Sequence, residues 1–476
     1  MKLSLRVTIL SLCLLVLASS VFAQSARPLT LEECVGIALK SNSSVRNAER
    51  QVNVAGTRVM TARAAMLPSV NTSFYSGKFR RGDQNAIDLI PTDYARINVP
   101  IIDATGNPVN NLFVELPGEP IGYEVRPYVS RGAEVNSNSA GIDVRWNAFD
   151  FGRSWTNIRS ANAAEDAERK SYESTRQGTI LLVQQRYFEH LKALRLLEVQ
   201  QEEVKSNEEQ LKRTESMFEI GSVAQGDVYR QRTTLGRSQI TLIRQANSVS
   251  NTRAALNVAM GREPKAELDI VDIEASNELD AYNLDQVLKV STENNPEVKS
   301  LEMSMRNFEL SARAAKLNYL PSLTLSASYD RSNTEFDLVY GGFDKNYSLR
   351  FGASLDFNLF NGFADQAQVE RTSLEYHIVK ENLVERQRNL QLEVEQAYLA
   401  LQAAKEIIVI NETNLRSAEE DLRLAQERYR VGAGTLLDII NAQFNLTNAK
   451  ATWVNAKYDM MIARAQLKAS MGTLGR

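Results

Sequence analysis

Two hydrophobic periods divide the chain. From Tyr347 to Leu359 every odd position is apolar, with Ser348, Arg350, Ser354 and Asp356 among the residues between. Ala140, Ile142, Val144, Trp146 and Ala148 alternate with Gly141, Asp143, Arg145 and Asn147, and Leu323, Leu325, Ala327 and Tyr329 alternate with Thr324, Ser326 and Ser328. A period of two predicts strands with one apolar and one polar face. Runs of about ten residues with aromatics near their ends fit strands of a membrane barrel, apolar side toward lipid. The rival is a half-buried strand of a soluble sandwich. Four strands, with no other strand-like segment in the chain, are too few for one. The polar positions Asp143, Arg145, Arg350 and Asp356 are then expected to face the barrel lumen.

Elsewhere the period is seven. Ser154 to Phe218 holds no Pro and one Gly, Gly178, and Asp365 to Tyr429 holds neither; each is 65 residues long. As helix, each would reach about 100 Å. Apolar residues recur as Leu401, Ile408, Leu415, Leu422, Tyr429 and as Leu197, Val204, Leu211, Phe218. Returning helices carry Val228, Leu235, Leu242, Val249, Leu256 and Ile439, Leu446, Trp453, Met460, Leu467. Three residues beyond the last series lie Ala442, Ala449, Ala456, Ala463 and Ser470. A strict heptad predicts coiled-coil packing, and small residues let neighbouring helices approach closely. Gly221 and Gly432 stand where each long helix must turn back, a position that favours glycine. Asp227 and Asp438 open the returning helices, where the helix dipole favours a carboxylate.

The two halves are one duplicated unit. Leu31/Leu284, Val45/Val298 and Pro68/Pro321 are each 253 residues apart. Asn147/Asn358, Tyr187/Tyr398, Gly221/Gly432, Asp227/Asp438 and Gly261/Gly472 are each 211 apart. The offsets differ by 42 residues, which fall between Pro68 and Asn147. The prolines within 81–136, among them Pro91, Pro100 and Pro108, lead us to expect a long external loop there. The expected organisation is a first repeat over 24–261, with a β-hairpin at about 69–150 and a long helical hairpin at about 152–260. A connector over 262–282 follows. The second repeat, 283–476, has its β-hairpin at about 322–360 and its helical hairpin at about 363–472.

Composition narrows the function. The 55 Lys+Arg and 58 Asp+Glu nearly cancel, which argues against a nucleic-acid partner. Two His and two Cys leave little for a metal site, and no cofactor is expected. Nucleophile–base pairs, phosphate-binding Gly loops and metal-ligand spacings are not found, so no enzyme is expected. Lys2 and Arg6 precede an apolar run ending in Val21-Phe22-Ala23, the pattern of a secretory signal peptide over 1–23. Cys34 is then the one cysteine of the mature chain, expected as a small buried residue. No later run of 18 apolar residues is present, so a membrane could be entered only as a β-barrel.

The order of helix pair, strand hairpin and long helical hairpin, repeated once, resembles the TolC-type outer-membrane efflux family. The resemblance also rests on Arg428-Tyr429-Arg430-Val431-Gly432 and Leu437-Asp438-Ile439-Ile440-Asn441-Ala442. It implies an α+β membrane protein: a homotrimer with a twelve-stranded barrel, four strands per chain, continued by a periplasmic coiled-coil tunnel. It implies a passive export duct for a tripartite efflux or type I secretion system, with a periplasmic adaptor and an inner-membrane pump as partners. It implies that Asp438 and Asn441 line the closing aperture, where a second Asp is common and Asn441 departs. Tyr429 would hold the closed tip, with Asp227 as its partner, and the adaptor would dock at Gly221 and Gly432. The family's tip arginine is matched by Gly434. A periplasmic coiled-coil rod or an adaptor protein is the alternative, but neither accounts for four alternating strands in a duplicated frame.

Overall fold

The computed structural model describes residues 27–93, 96–115, 120–273, 283–342 and 344–475. The signal-peptide reading of 1–23 and the last part of the connector, 274–282, fall outside these. Two compact units are present. Among the described residues, one comprises those within 27–63, 153–318 and 360–475, and the other those within 64–152 and 319–359.

The first unit is helical. Helices α1 (Leu31–Ser41) and α2 (Ser43–Ala64) precede α3 (Arg153–Glu219) and α4 (Gln225–Ala259). Their counterparts in the second repeat are α5 (Leu284–Asn294), α6 (Pro296–Lys316), α8 (Ala364–Arg430) and α9 (Leu436–Ser470), with α7 (Phe336–Tyr340) in the other unit. The two long helices have 67 residues each. Both short leading helices start with a capping box, Thr30 with Glu33 and Asn283 with Gln286, which satisfies backbone N–H groups that a helix start leaves open.

All four long-hairpin helices end alike. Gly221, Gly261, Gly432 and Gly472 have φ of 75°, 74°, 76° and 67°. At each, the glycine and its successor donate back to the last helical turn, as in Ser222 N–H to Met217 C=O (2.8 Å) and Thr473 N–H to Lys468 C=O (3.2 Å). This is a Schellman closure, which requires the left-handed region. The pair at the far ends of the hairpins meets open space, but a Cβ at Gly261 would stand 2.7 Å from the Ser41 carbonyl oxygen, and one at Gly472 2.8 Å from that of Asn294. The close approach is thus duplicated along with the sequence.

One core cluster gathers Cys34, Ala38, Val183, Tyr187, Leu256 and Met260 with Tyr458. Another holds Val287, Val298, Leu390, Val394, Leu401 and Leu467.

The second unit contains a four-stranded antiparallel sheet in the order β1 (Ser69–Arg80), β6 (Glu134–Phe149), β7 (Ser322–Asn333), β8 (Ser348–Asp356). The register keeps the alternation in phase: Asn71, Asp143, Ser328 and Arg350 form one cross-strand row, and Thr72, Ile142, Tyr329 and Leu349 the next. Apolar residues therefore gather on one face and polar residues on the other. At its Arg80/Asn333 end the apolar face is covered by α7. Arg331 is buried there, and its Nη2 reaches the carbonyls of Leu338 (2.9 Å) and Gly341 (3.0 Å).

The loop expected over 81–136 is corrected by the structure, as is the expectation of no further strand. Four more strands lie there: β2 (Gln84–Asp93) pairs with β5 (Gly122–Ser130), and β3 (Arg96–Ile102) with β4 (Pro108–Glu115). The prolines suggested a loop because Pro cannot donate to a ladder. In a two-stranded ribbon every strand is an edge, so Pro100 and Pro127 sit within strands, Pro108 starts one, and Pro91 adjoins a register shift.

Candidate export channel

The tips of the two helical hairpins differ in how they are held. At the second tip, the Thr435 N–H and hydroxyl both donate to Asp438 Oδ2 (2.8 Å each), and the Asp438 N–H returns to Thr435 Oγ1 (3.3 Å). Asp438 is exposed, and these bonds hold its carboxyl below the usual carboxylate range. It is therefore a helix cap whatever else it does. Asn441, one turn further on, is exposed. At the first tip the position 211 residues before Thr435 is Ala224, which supplies no side-chain cap. Asp227 instead lies 3.9 Å from Arg230.

Tyr429 joins the hairpins, but the expected partner is corrected: its hydroxyl donates to Met217 Sδ at 3.4 Å, while Asp227 lies toward Arg230 of its own helix. Burial raises its pKa, and the nearby Asp227 charge adds to that. A Cβ at Gly434 would stand 3.1 Å from Arg428 Cβ, so the tip turn has little room for a side chain there. Gly221 and Gly432 are exposed at the turns.

The hairpin interiors also differ in chemistry. In the first, the buried positions include Asn207, Thr214, Gln231 and Ser238. The residues 211 positions later are Ala418, Ala425, Ala442 and Ala449. Gln231 Nε2 donates to the Asn207 carbonyl at 3.3 Å, across the hairpin. The corresponding part of the second hairpin packs Leu422, Ala425, Ile439, Ala442 and Leu446 together. One duplicated frame thus carries a polar seam in one copy and an apolar seam in the other.

On the sheet's polar face, Asn71 Nδ2 donates to Asp143 Oδ2 at 3.2 Å, and Arg350 pairs with Asp330 at 2.6 Å. Arg145 and Asp356 share this face, opposite Ser326 and Ser322. The four expected lumen positions therefore lie on one surface. On the other face, Trp146 and the stacked pair Tyr329–Tyr347 (5.5 Å between centroids) stand near opposite ends of the apolar band. Among the described residues, no helix is long and apolar enough to cross a membrane.

A family model described as outer membrane efflux protein matches residues 35–262 and 287–473. The chain belongs to the outer membrane efflux protein family. It is 25% identical to the outer membrane protein TolC of Vibrio cholerae over 356 residues, covering 74% of this chain and 81% of that one. Nodulation protein T of Rhizobium leguminosarum is 26% identical over 397 residues, 82% of each chain. The fold matches the CmeC outer membrane channel of Campylobacter jejuni with a TM-score of 0.72 at 16% identity, over 93% of this chain and 85% of that one. The protein is the outer-membrane channel component of an efflux system.

Its sequence did not single out the cluster beside the connector. Asp272 is held by Arg195 (3.0 Å), by Lys457 (3.8 Å) and by the Tyr458 hydroxyl (3.1 Å), which come from both long hairpins. The Tyr187 hydroxyl donates to the carbonyls of Val271 and Leu29, and Leu29 bridges Ile270 in parallel. These bonds tie the start of the connector to the N-terminal segment and to both repeats. Asp272 gives no signal in an aperiodic acidic stretch. The heptad surroundings of Arg195 and Lys457 read as solvated helix faces.

Proposed function

We propose that three copies of this channel close a twelve-stranded barrel, with their helical hairpins forming a periplasmic duct gated at the tips. The observation that carries this is the sheet. Its described strands end in two unpaired edges, β1 and β8, while one face is apolar and the other polar. An open edge is not tolerated in lipid, and such barrels begin at eight strands. One chain offers four, so closure needs further copies. Three copies, with two long hairpins each, leave room for a duct that a dimer's packed bundle would not. A periplasmic adaptor docking near Gly221 and Gly432 and an inner-membrane pump complete the export path.

In this reading Asp438 contributes one carboxylate per copy to the aperture, beside Asn441, and Tyr429 holds the tips closed through Met217, with Asp227 nearby. A ring of carboxylates favours cations. The hydrogen bonds from Thr435 favour the ionised form of each of these carboxyls. The test is planar-bilayer conductance of the purified trimer beside Asp438→Asn, which keeps a capping oxygen and removes the charge. Cation-selective steps whose selectivity falls in the variant are expected. Unchanged selectivity reduces Asp438 to a cap, and no conductance from folded trimer refutes the duct.

A further inference from the structure

The ribbon beyond the sheet changes sides. Arg80 stands opposite Glu134, and Gln84 opposite Ser130, four steps on along each strand. The Arg81 N–H to Ala133 carbonyl bond (2.9 Å) bridges the gap between the two ladders. The pairing register is the same on both sides of this gap of three residues in each strand, 81–83 and 131–133, which belongs to neither ladder, and the faces are assigned across it by parity.

In the sheet, the odd positions of β1 belong to the polar face, as Ser69, Asn71 and Ser73. That same face already turns apolar at Tyr75 and at Phe79, opposite Val135, and stays so beyond Asp83 and Arg131. Ile87 opposes Pro127, Leu89 opposes Val125, and Pro91 opposes Tyr123. The other face changes in the reverse sense. Val70 and Phe74 give way to Lys78 and Arg80, both near Glu134, and then to a mixed face with Asp88 opposite Arg126, Ala86 opposite Tyr128 and Ile90 opposite Glu124. Near the sheet's end, apolar residues thus replace polar ones on one side, and the apolar band gives way to a mixed surface on the other.

We infer that the β2–β5 ribbons of three copies pack their apolar faces against one another above the barrel, forming a crown on the trimer axis. This rests on the trimeric barrel proposed above. A strand in lipid needs its apolar side outward. Past the membrane that side meets water and becomes polar, while the inward side can become a core. In the single chain, Leu89 and Val125 are 53% and 57% exposed. A lone two-stranded ribbon is marginal in water, so such a face needs a cover. An external protein would approach from outside and meet the mixed face, where Asp88, Arg126 and Glu124 stand among Ala86, Tyr128 and Ile90. The inward face continues the lumen surface, where the equivalent faces of the other copies are at hand.

The experiment places single cysteines at Leu89, at Val125 and at Asp88 in the full-length protein. Cys34 is buried and leaves the background silent in native trimer. Purified trimers are treated with a short bismaleimide and run denatured. Leu89→Cys and Val125→Cys are expected to move most of the monomer band to cross-linked dimer, and Asp88→Cys to remain monomer. A membrane-impermeant maleimide should label Asp88→Cys on whole cells much faster than Leu89→Cys. Intact trimers with no Leu89 or Val125 cross-link, and with equal labelling at positions 88 and 89, overturn the crown and leave the barrel standing. Failure of unmodified protein to form trimers overturns both.

Discussion

Alanine at Gly432 and at Gly472 isolates what a backbone contact contributes to the channel. Both glycines close a helix by the same Schellman geometry, at φ of 76° and 67°. Placing a side chain in the left-handed region costs about 1 kcal/mol at either site. The stiffer unfolded chain returns about 0.4–1 kcal/mol in both. The remaining difference is steric. Nothing lies within 4 Å of a Cβ at Gly432, whereas one at Gly472 would meet the Asn294 carbonyl carbon and oxygen at 2.8 Å. These are backbone atoms anchored between α5 and α6, so no side chain can rotate away. Forcing such a shift resembles overpacking a core, at about 1–3 kcal/mol. Heating purified protein at one fixed rate, followed by helical circular dichroism, should therefore show Gly472→Ala melting about 1–3 °C below Gly432→Ala. Gly261→Ala should fall below Gly221→Ala for the same reason, through Ser41. Equal midpoints within each pair would refute the claim that these ends are pinned by close backbone approach.

Hydrogen exchange should distinguish the hairpins: amides near Thr214 and Gln231 are expected to exchange faster than those near Ala425 and Ala442. The first hairpin lacks the cap that Thr435 supplies, worth about 1 kcal/mol, and has a polar seam; equal protection would count against this. His190 is 2% exposed, and burial lowers its pKa from 6.5 to about 4, with the Arg253 charge acting in the same direction. The unfolded chain takes up this proton below about pH 6.5 and the folded chain does not, so stability is full above that pH and is lost as pH falls toward 4. Between pH 7 and 5 the loss is about 2 kcal/mol per chain. His190→Gln should flatten the melting-point curve over that interval, and parallel curves for the two proteins would exclude His190 as the cause.

Most of the helical architecture could be read because it repeats at long range. The 211-residue offset aligned the two hairpins, and the glycines marked their ends without any knowledge of packing. The tip contacts could not be read this way. Tyr429 bonds to a methionine sulfur on the other hairpin, and neither periodicity nor capping rules select Met217. Asp272 depends on three side chains scattered over more than 260 positions, from Arg195 to Tyr458, so only the fold brings them together. The polar seam was hidden because Asn207 and Thr214 look like ordinary solvated positions. Only comparison with Ala418 and Ala425 reveals that they occupy core sites.

The ribbon shows why an alternation must be read together with its phase. Ile87 and Leu89 flank Asp88 as Ile142 and Val144 flank Asp143, but Ala86 and Ile90 at the neighbouring even positions make the alternation weaker than that of Gly141 and Arg145. Prolines drew attention away from that pattern, although a proline forbids only an inner strand with partners on both sides. Once register is carried across 81–83, parity becomes a coordinate. By that parity odd residues of β1 and β2 share one side, and their polarity reports what lies on that side at each height. The same side is polar where a water-filled lumen is proposed and apolar beyond it. A purely flexible loop would have no reason to keep register through eight further pairs, nor to gather Ile87, Leu89, Val125 and Pro127 on one side.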